Sequence, residues 1–125
     1  MTTFTEKRQA LSFVITEQPG HLSRETVTIG GGGGVVEAGT VLGVITASGK
    51  YVPSPAAGTD GSQVAKAING YRVDATGGDV QAVVIARLAE VNSHLLIYDA
   101  SVNDATKVLA KAAQLAAVDG PIIAR

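Results

Sequence analysis

The sequence contains no cysteine, so disulfides and thiolate metal sites are excluded and no redox compartment is implied. Histidine is scarce as well, with only His21 and His94. Charge is sparse: 17% of residues are ionic, against a usual ~25%. The two signs nearly balance, 10 basic to 11 acidic, for a formal net charge of −1. The one basic cluster, Lys7-Arg8, is too small to neutralise a run of phosphates, so no nucleic-acid partner is expected. Long apolar runs are missing too. Residues 11–15 form the longest early one, and Ser12 interrupts it. That is far short of a signal h-region or of the ~20 residues a membrane helix needs. No membrane partner is expected, and synthesis should be cytosolic.

What the sequence does hold is apolar residues, 46% of a 125-residue chain. That length fits one domain and lets roughly two-thirds of the unfolded surface be buried on folding. A domain this small has too little interior for so many apolar side chains. Part of its surface should therefore be covered by another subunit or a large partner.

Along the chain, residues 1–8 are polar and without period, and read as a mobile arm. Residues 11–16 are β-prone and stop at the turn signal Pro19-Gly20. Val27 and Ile29 alternate within a short strand over 25–29, and five glycines, Gly30 to Gly34, follow as a connector. Short β-like pieces then succeed one another over 41–46, 50–52, 64–68, 71–73, 80–88 and 94–98. Asn69-Gly70 reads as a hairpin turn between 64–68 and 71–73. One stretch has helical period: Ala105, Val108, Leu109, Ala112, Leu115 and Ala116 form one apolar stripe. Ser101 or Asn103 can cap it, Asp104 suits its first turn, and Gly120-Pro121 stops it. The stripe is expected to pack Leu109 and Leu115 inside the protomer. Ile122-Ile123 forms a last short strand. The fold class is mainly β (α+β): a small β-rich domain over 21–125 with one C-terminal helix near 103–118, preceded by a flexible N-terminal arm over 1–20.

Motifs for chemistry are weak. The glycine run lacks the Gly-Lys-Ser/Thr ending of a phosphate loop, since Val35-Val36 follows it, and Val35 stands where a dinucleotide fingerprint needs its third glycine. His21 and Glu25 are four apart, but Gly20 and the β-prone residues after Glu25 oppose the helix that would bring them together as metal ligands. No serine lies in a nucleophile elbow. Glu17, Glu25, Glu37, Asp60, Asp79 and Asp99 lie in loops or strands whose convergence spacing does not reveal, and solvated carboxylates are the plain reading. No catalytic residue, metal or cofactor is expected.

Two families enter by resemblance. The rhythm Gly39, Leu42, Ile45, Gly49-Lys50, then Pro53-Ser54-Pro55-Ala56-Ala57-Gly58 looks like a biotinyl or lipoyl carrier domain. That likeness would make Lys50 the attachment site at a hairpin tip. The longer likeness runs from Ala38-Gly39-Thr40-Val41-Leu42-Gly43 through Ser48-Gly49-Lys50-Tyr51 to Asp60-Gly61-Ser62-Gln63-Val64-Ala65-Lys66-Ala67-Ile68. With Ala89-Glu90-Val91-Asn92 and the junction from Tyr98 into the helix, this order resembles the lambda-type phage head decoration family over residues 22–125.

That resemblance implies a non-enzymatic homotrimer without cofactor, bound to the major capsid protein lattice on the outer virion surface. It would sit at local threefold positions of the expanded shell and hold it against the pressure of packaged DNA. The arm suits capsid contact, because a β-prone segment can add itself to an exposed sheet edge. Leu11, Phe13, Val14, Ile15, Thr16 and Glu17 are the candidate contact residues. Phe13 and Ile15 are expected on one face, with Val14 and Thr16 on the other. An ordinary strand of the domain itself is the competing reading of the same segment.

Overall fold

Short apolar segments bounded by turn residues fold, in a computed structural model of the chain, into β1 (Val14–Glu17), β2 (Arg24–Ile29), β3 (Val35–Val36), β4 (Val41–Val44) and β5 (Tyr51–Pro53). There follow β6 (Ala65–Asn69), β7 (Val73–Asp74), β8 (Val80–Ile85), β9 (Ala89–Val91), the helix α1 (Ala105–Ala116) and β10 (Ile122–Ala124). The structure describes residues 11–17, 23–118 and 120–125. The expected arm over 1–8, the Pro19-Gly20 turn and His21 lie outside them.

Five strands close into a barrel in the order β2-β5-β4-β6-β8, which leaves it no unpaired edge. Against it lies a three-stranded sheet, β1-β9-β10, and β3 pairs with β7 at the side. Two cores result. Val27, Ile29, Leu42, Ala67, Ala82 and Val84 fill the barrel. Val41, Ile68, Ile85, Val91, Leu115 and Ile122 pack between barrel, sheet and helix, with Phe13 among them. Neighbours in sequence thus serve opposite cores: Val41 and Leu42, Ala67 and Ile68, Val84 and Ile85. Strands buried on both faces read as continuous apolar runs, which is why β4, β6 and β8 lack clean alternation.

The glycine run is not a loose connector. Gly32 N–H donates to Ala75 O at 2.8 Å and Ala75 N–H to Gly34 O at 2.9 Å, with Gly32 and Gly34 at φ +86° and +79°. Gly31 lies so close to Gly78 that a Cβ would stand 2.5 Å from the Gly78 carbonyl carbon. Its N–H donates to Asp79 Oδ1 at 2.7 Å, and the same carboxylate meets Lys50 Nζ at 2.7 Å. Glycine is needed here for close approach and left-handed backbone.

Four further expectations are corrected. Asn69-Gly70 does not turn a hairpin: β7 pairs with β3 instead of β6. Asn69 is fully buried, and its side-chain amide donates to the carbonyls of Val36, Glu37 and Tyr71. Residues 94–98 are not a strand. A short 3-10 helix, Ser93–Leu95, occupies their start, with Asn92 Oδ1 accepting from His94 N–H at 3.0 Å, and only Ile97 bridges to Thr40. The helix forms where its period places it, but its cap is Asp104, whose Oδ1 accepts from Lys107 N–H at 2.8 Å. It is also rotated from the expected stripe. Leu115 is buried, whereas Leu109 is 70% exposed and Lys111 turns inward. A lysine can take that place because its long stem packs while its ammonium finds acceptors.

Candidate functional site

Among the described residues, the β1-β9-β10 sheet keeps both of its outer strand edges unpaired, as the shorter β3–β7 pair also does. β9 lies in the middle, antiparallel to β1 and parallel to β10, and no strand among the described residues pairs the outer side of either. Unpaired N–H and C=O groups along an edge are a template for another extended chain.

The approach to β1 is tightly held. Leu11 has left-handed backbone, φ +59°, a conformation costing roughly 1–2 kcal/mol for a residue with a Cβ. Its N–H donates to Gly70 O at 2.9 Å, its carbonyl accepts from Val14 N–H at 3.1 Å, and its side chain packs on the core. Phe13 is 1% exposed, and its carbonyl accepts from Asn92 N–H at 2.7 Å. The register against β9 then slips between Val14 and Thr16. A bulge of this kind breaks the alternation of faces. Phe13 and Val14 therefore pack inward while Ile15 and Thr16 are both exposed, which differs from the alternation expected over these residues. Glu17 closes the strand in a bidentate pair with Arg24, at 2.6 and 3.1 Å. That hydrogen bonding holds its carboxyl below the usual glutamate value.

The outer face gathers residues distant in sequence. Thr16 and Ile123 both register with Glu90 on β9, so the three stand side by side. With Leu88, Ala89 and Pro121 they line a shallow cleft of about 230 Å³. Ile15 is 51% exposed and Ile123 39%, and Glu90 is engaged by Arg125 Nε at 2.6 Å. Glu90, Ile123 and Arg125 were missed by reasoning along the sequence. The available signal was Ile122-Ile123, two apolar residues in a strand whose second side chain must point away from the first. Backbone edges beside apolar knobs suit a protein partner more than a reaction centre.

The other candidates are accounted for by local structure. Thr46 to Gly49 make the tip of the β4–β5 hairpin, and Lys50 stands at its base, paired with Asp79. The hairpin therefore does not present Lys50 as a carrier tip would. Glu25 pairs with Arg87 and Glu37 with Arg72. Asp60 accepts from Ser62 and Asp99 from Ser101. Asp60 and Asp79 are held below the usual aspartate value, by the Ser62 hydroxyl and by Lys50 respectively. Among the described residues there is no cluster of metal-ligating side chains and no helix long and apolar enough to cross a membrane.

Two comparisons with known proteins bear on the chain as a whole. A family model described as bacteriophage lambda head decoration protein D matches residues 3–121. No curated protein matches the chain.

Proposed function

The chain belongs to the bacteriophage lambda head decoration protein D family, and on that premise we propose that it works as a homotrimer on the outer surface of the expanded capsid. Capsid decoration is the role the family carries, and the virion is where it acts. The finer reading places each trimer at a local threefold position, where it clamps neighbouring capsomers against the pressure of packaged DNA. The extent of the match supports it: 3–121 runs from before β1 through the barrel and the helix, and leaves out only the last strand, β10.

The proposed contact with the capsid lattice is residues 1–20, with β1 at its core. Of the six candidate residues, Ile15 and Thr16 are exposed and free to touch a partner, while the backbone edge of β1 can take a strand of the capsid protein. Leu11, Phe13 and Val14 anchor that edge to the core. Glu17 fixes it to Arg24. Ordering an arm on binding costs about 2–5 kcal/mol. Three arms per trimer on a repeating lattice offset that cost through avidity.

The test uses expanded, undecorated capsids and purified protein. Removing everything through Glu17 would strip Phe13 from the core, so the truncation ends at residue 10 and is paired with Ile15→Lys in the full chain. Both variants should keep the wild-type circular dichroism spectrum and lose roughly tenfold in affinity, about 1.4 kcal/mol. Truncated protein that saturates capsids at wild-type affinity would remove the arm from the account. Native mass spectrometry addresses assembly separately: three chains of 12.7 kDa should travel together. A monomer at every concentration and on the capsid would end the trimer reading.

A further inference from the structure

Asn69-Gly70 carries a chemistry that its place in the barrel does not use. An asparagine before glycine is prone to lose its amide, because a residue without a side chain lets its backbone nitrogen reach the asparagine Cγ. The other two asparagines, Asn92 and Asn103, precede Ser93 and Asp104, whose side chains hinder that approach. In the folded chain both reacting groups at 69–70 are held. Asn69 Nδ2 donates to the carbonyls of Val36, Glu37 and Tyr71 at 3.2, 3.1 and 2.6 Å. The Gly70 N–H, whose nitrogen would attack, donates to Val83 O at 3.0 Å. Backbone on either side is fixed as well: Asn69 N–H donates to Thr40 O at 2.9 Å, and its carbonyl accepts from Gly39 N–H at 2.7 Å. Both residues are buried, away from the water that would complete the reaction.

The fold itself demands this labile pair. A Cβ on Gly70 would stand 2.9 Å from Val83 O and 3.0 Å from Leu11 Cδ2, so no larger residue fits there. Position 69 needs a neutral donor facing three carbonyls. Asn69 Oδ1 has no hydrogen-bond partner among the described residues, so the side chain is held through its nitrogen. Exchanging that nitrogen for oxygen would set a carboxylate, which only accepts, against three other acceptors.

We infer that Asn69-Gly70 is a deamidation site that folding closes and unfolding opens, and that its reaction bars the chain from refolding. The Gly70 nitrogen bonds to Asn69 Cγ while the Cγ–Nδ2 bond breaks. The amide leaves as ammonia, carrying the proton from Gly70. Water then opens the resulting succinimide at either carbonyl, giving aspartate or isoaspartate at position 69. Aspartate faces the three carbonyls without a proton to donate, and isoaspartate also inserts a methylene into the main chain of β6. A chain left unfolded long enough therefore loses its way back to the barrel. This behaviour belongs to the free chain and does not depend on the capsid reading.

The test ages the full-length protein in warm, mildly alkaline buffer, one sample folded and one in guanidinium chloride, and follows all three asparagines by peptide mass mapping. Unfolded, Asn69 should lose its amide fastest of the three. Folded, it should be the slowest, reacting only through openings of the core and so about a hundredfold or more below its unfolded rate. Asn103, exposed in the folded protein, is the internal reference. Aged chains are then diluted out of denaturant beside fresh ones, and the refolded fraction is separated and mapped. It should retain asparagine at 69, with aspartate and isoaspartate confined to the chains that fail to refold. Asn69→Asp, made directly, should melt well below the parent or fail to fold. Loss of the Asn69 amide in the folded protein as fast as that of Asn103 overturns the closed site. Deamidated chains that refold in the same yield as fresh ones, or an Asn69→Asp protein melting with the parent, overturn the barrier to refolding.

Discussion

Lys111 is 2% exposed, in the interior turn of a helix whose apolar period left no room for a charge. Its Nζ donates to Ser54 Oγ at 2.8 Å and to the carbonyls of Pro55 and Gln63 at 2.6 Å each. Those three bonds use every proton of an ammonium group. Burial draws its pKa below the ordinary lysine value, with the charge of Asp99 working the other way. The side chain thereby pins α1 to the loop between β5 and β6, whose ends Ser54 and Ser62 are also joined, Oγ to O, at 2.7 Å. Lys111→Met keeps most of the stem's volume and leaves the carbonyls without their donor, at a cost of about 1–3 kcal/mol. Lys111→Ala adds a cavity and should cost about 3–5 kcal/mol. Urea midpoints measure both. A methionine variant as stable as the parent would mean that the stem, and not the ammonium, holds the helix.

At the scale of the element, α1 shows how a periodic pattern can be right about existence and wrong about orientation. Residues 105, 109, 112 and 116 carry apolar side chains at helical spacing, yet Ala105, Leu109 and Ala116 are exposed. The inward face is Lys111 and Leu115, with Val108 and Ala112 half-buried beside them. Leu109→Lys, which keeps helix propensity nearly constant, should change thermal stability by no more than ~0.5 kcal/mol. Leu115→Ala should cost about 2–5 kcal/mol. Comparable losses at both positions would return Leu109 to the core. Strands were more legible than the helix's rotation. Residues 41–46, 64–68 and 80–88 contain β4, β8 and most of β6, because β-branched runs bounded by turn residues admit few other readings. Asn69-Gly70 misled, since its hairpin reading is local while Asn69 is committed to carbonyls of Val36 and Glu37, more than thirty positions away.

For the whole molecule, pairing is the level the sequence hides. Nothing along the chain marks β2 as the partner of both β5 and β8, the contacts that close the barrel. Nor does spacing place β1 beside β9, the pairing that turns the candidate arm core into an edge of the chain's own sheet. Such contacts join distant segments and are decided by burial summed over the fold. The Glu17–Arg24 pair is one of the polar links between that sheet and the barrel, joining the end of β1 to the start of β2. Because the hydrogen bond to Arg24 lowers the folded-state pKa of Glu17 below 4.5, the unfolded chain binds its proton more tightly than the folded one. The stability from this pair is therefore fully present above pH ~4.5 and is lost as pH falls through the lower, folded value. Glu17→Gln removes the titration while keeping the shape. It should melt below the parent at pH 7, lose less on acidification, and approach the parent's melting temperature once the parent's carboxylate is protonated. Parallel melting curves for the two proteins across the whole acid range would show that Glu17 contributes nothing to holding sheet and barrel together, and that the open edge proposed for the capsid is anchored by Phe13 and its apolar neighbours alone.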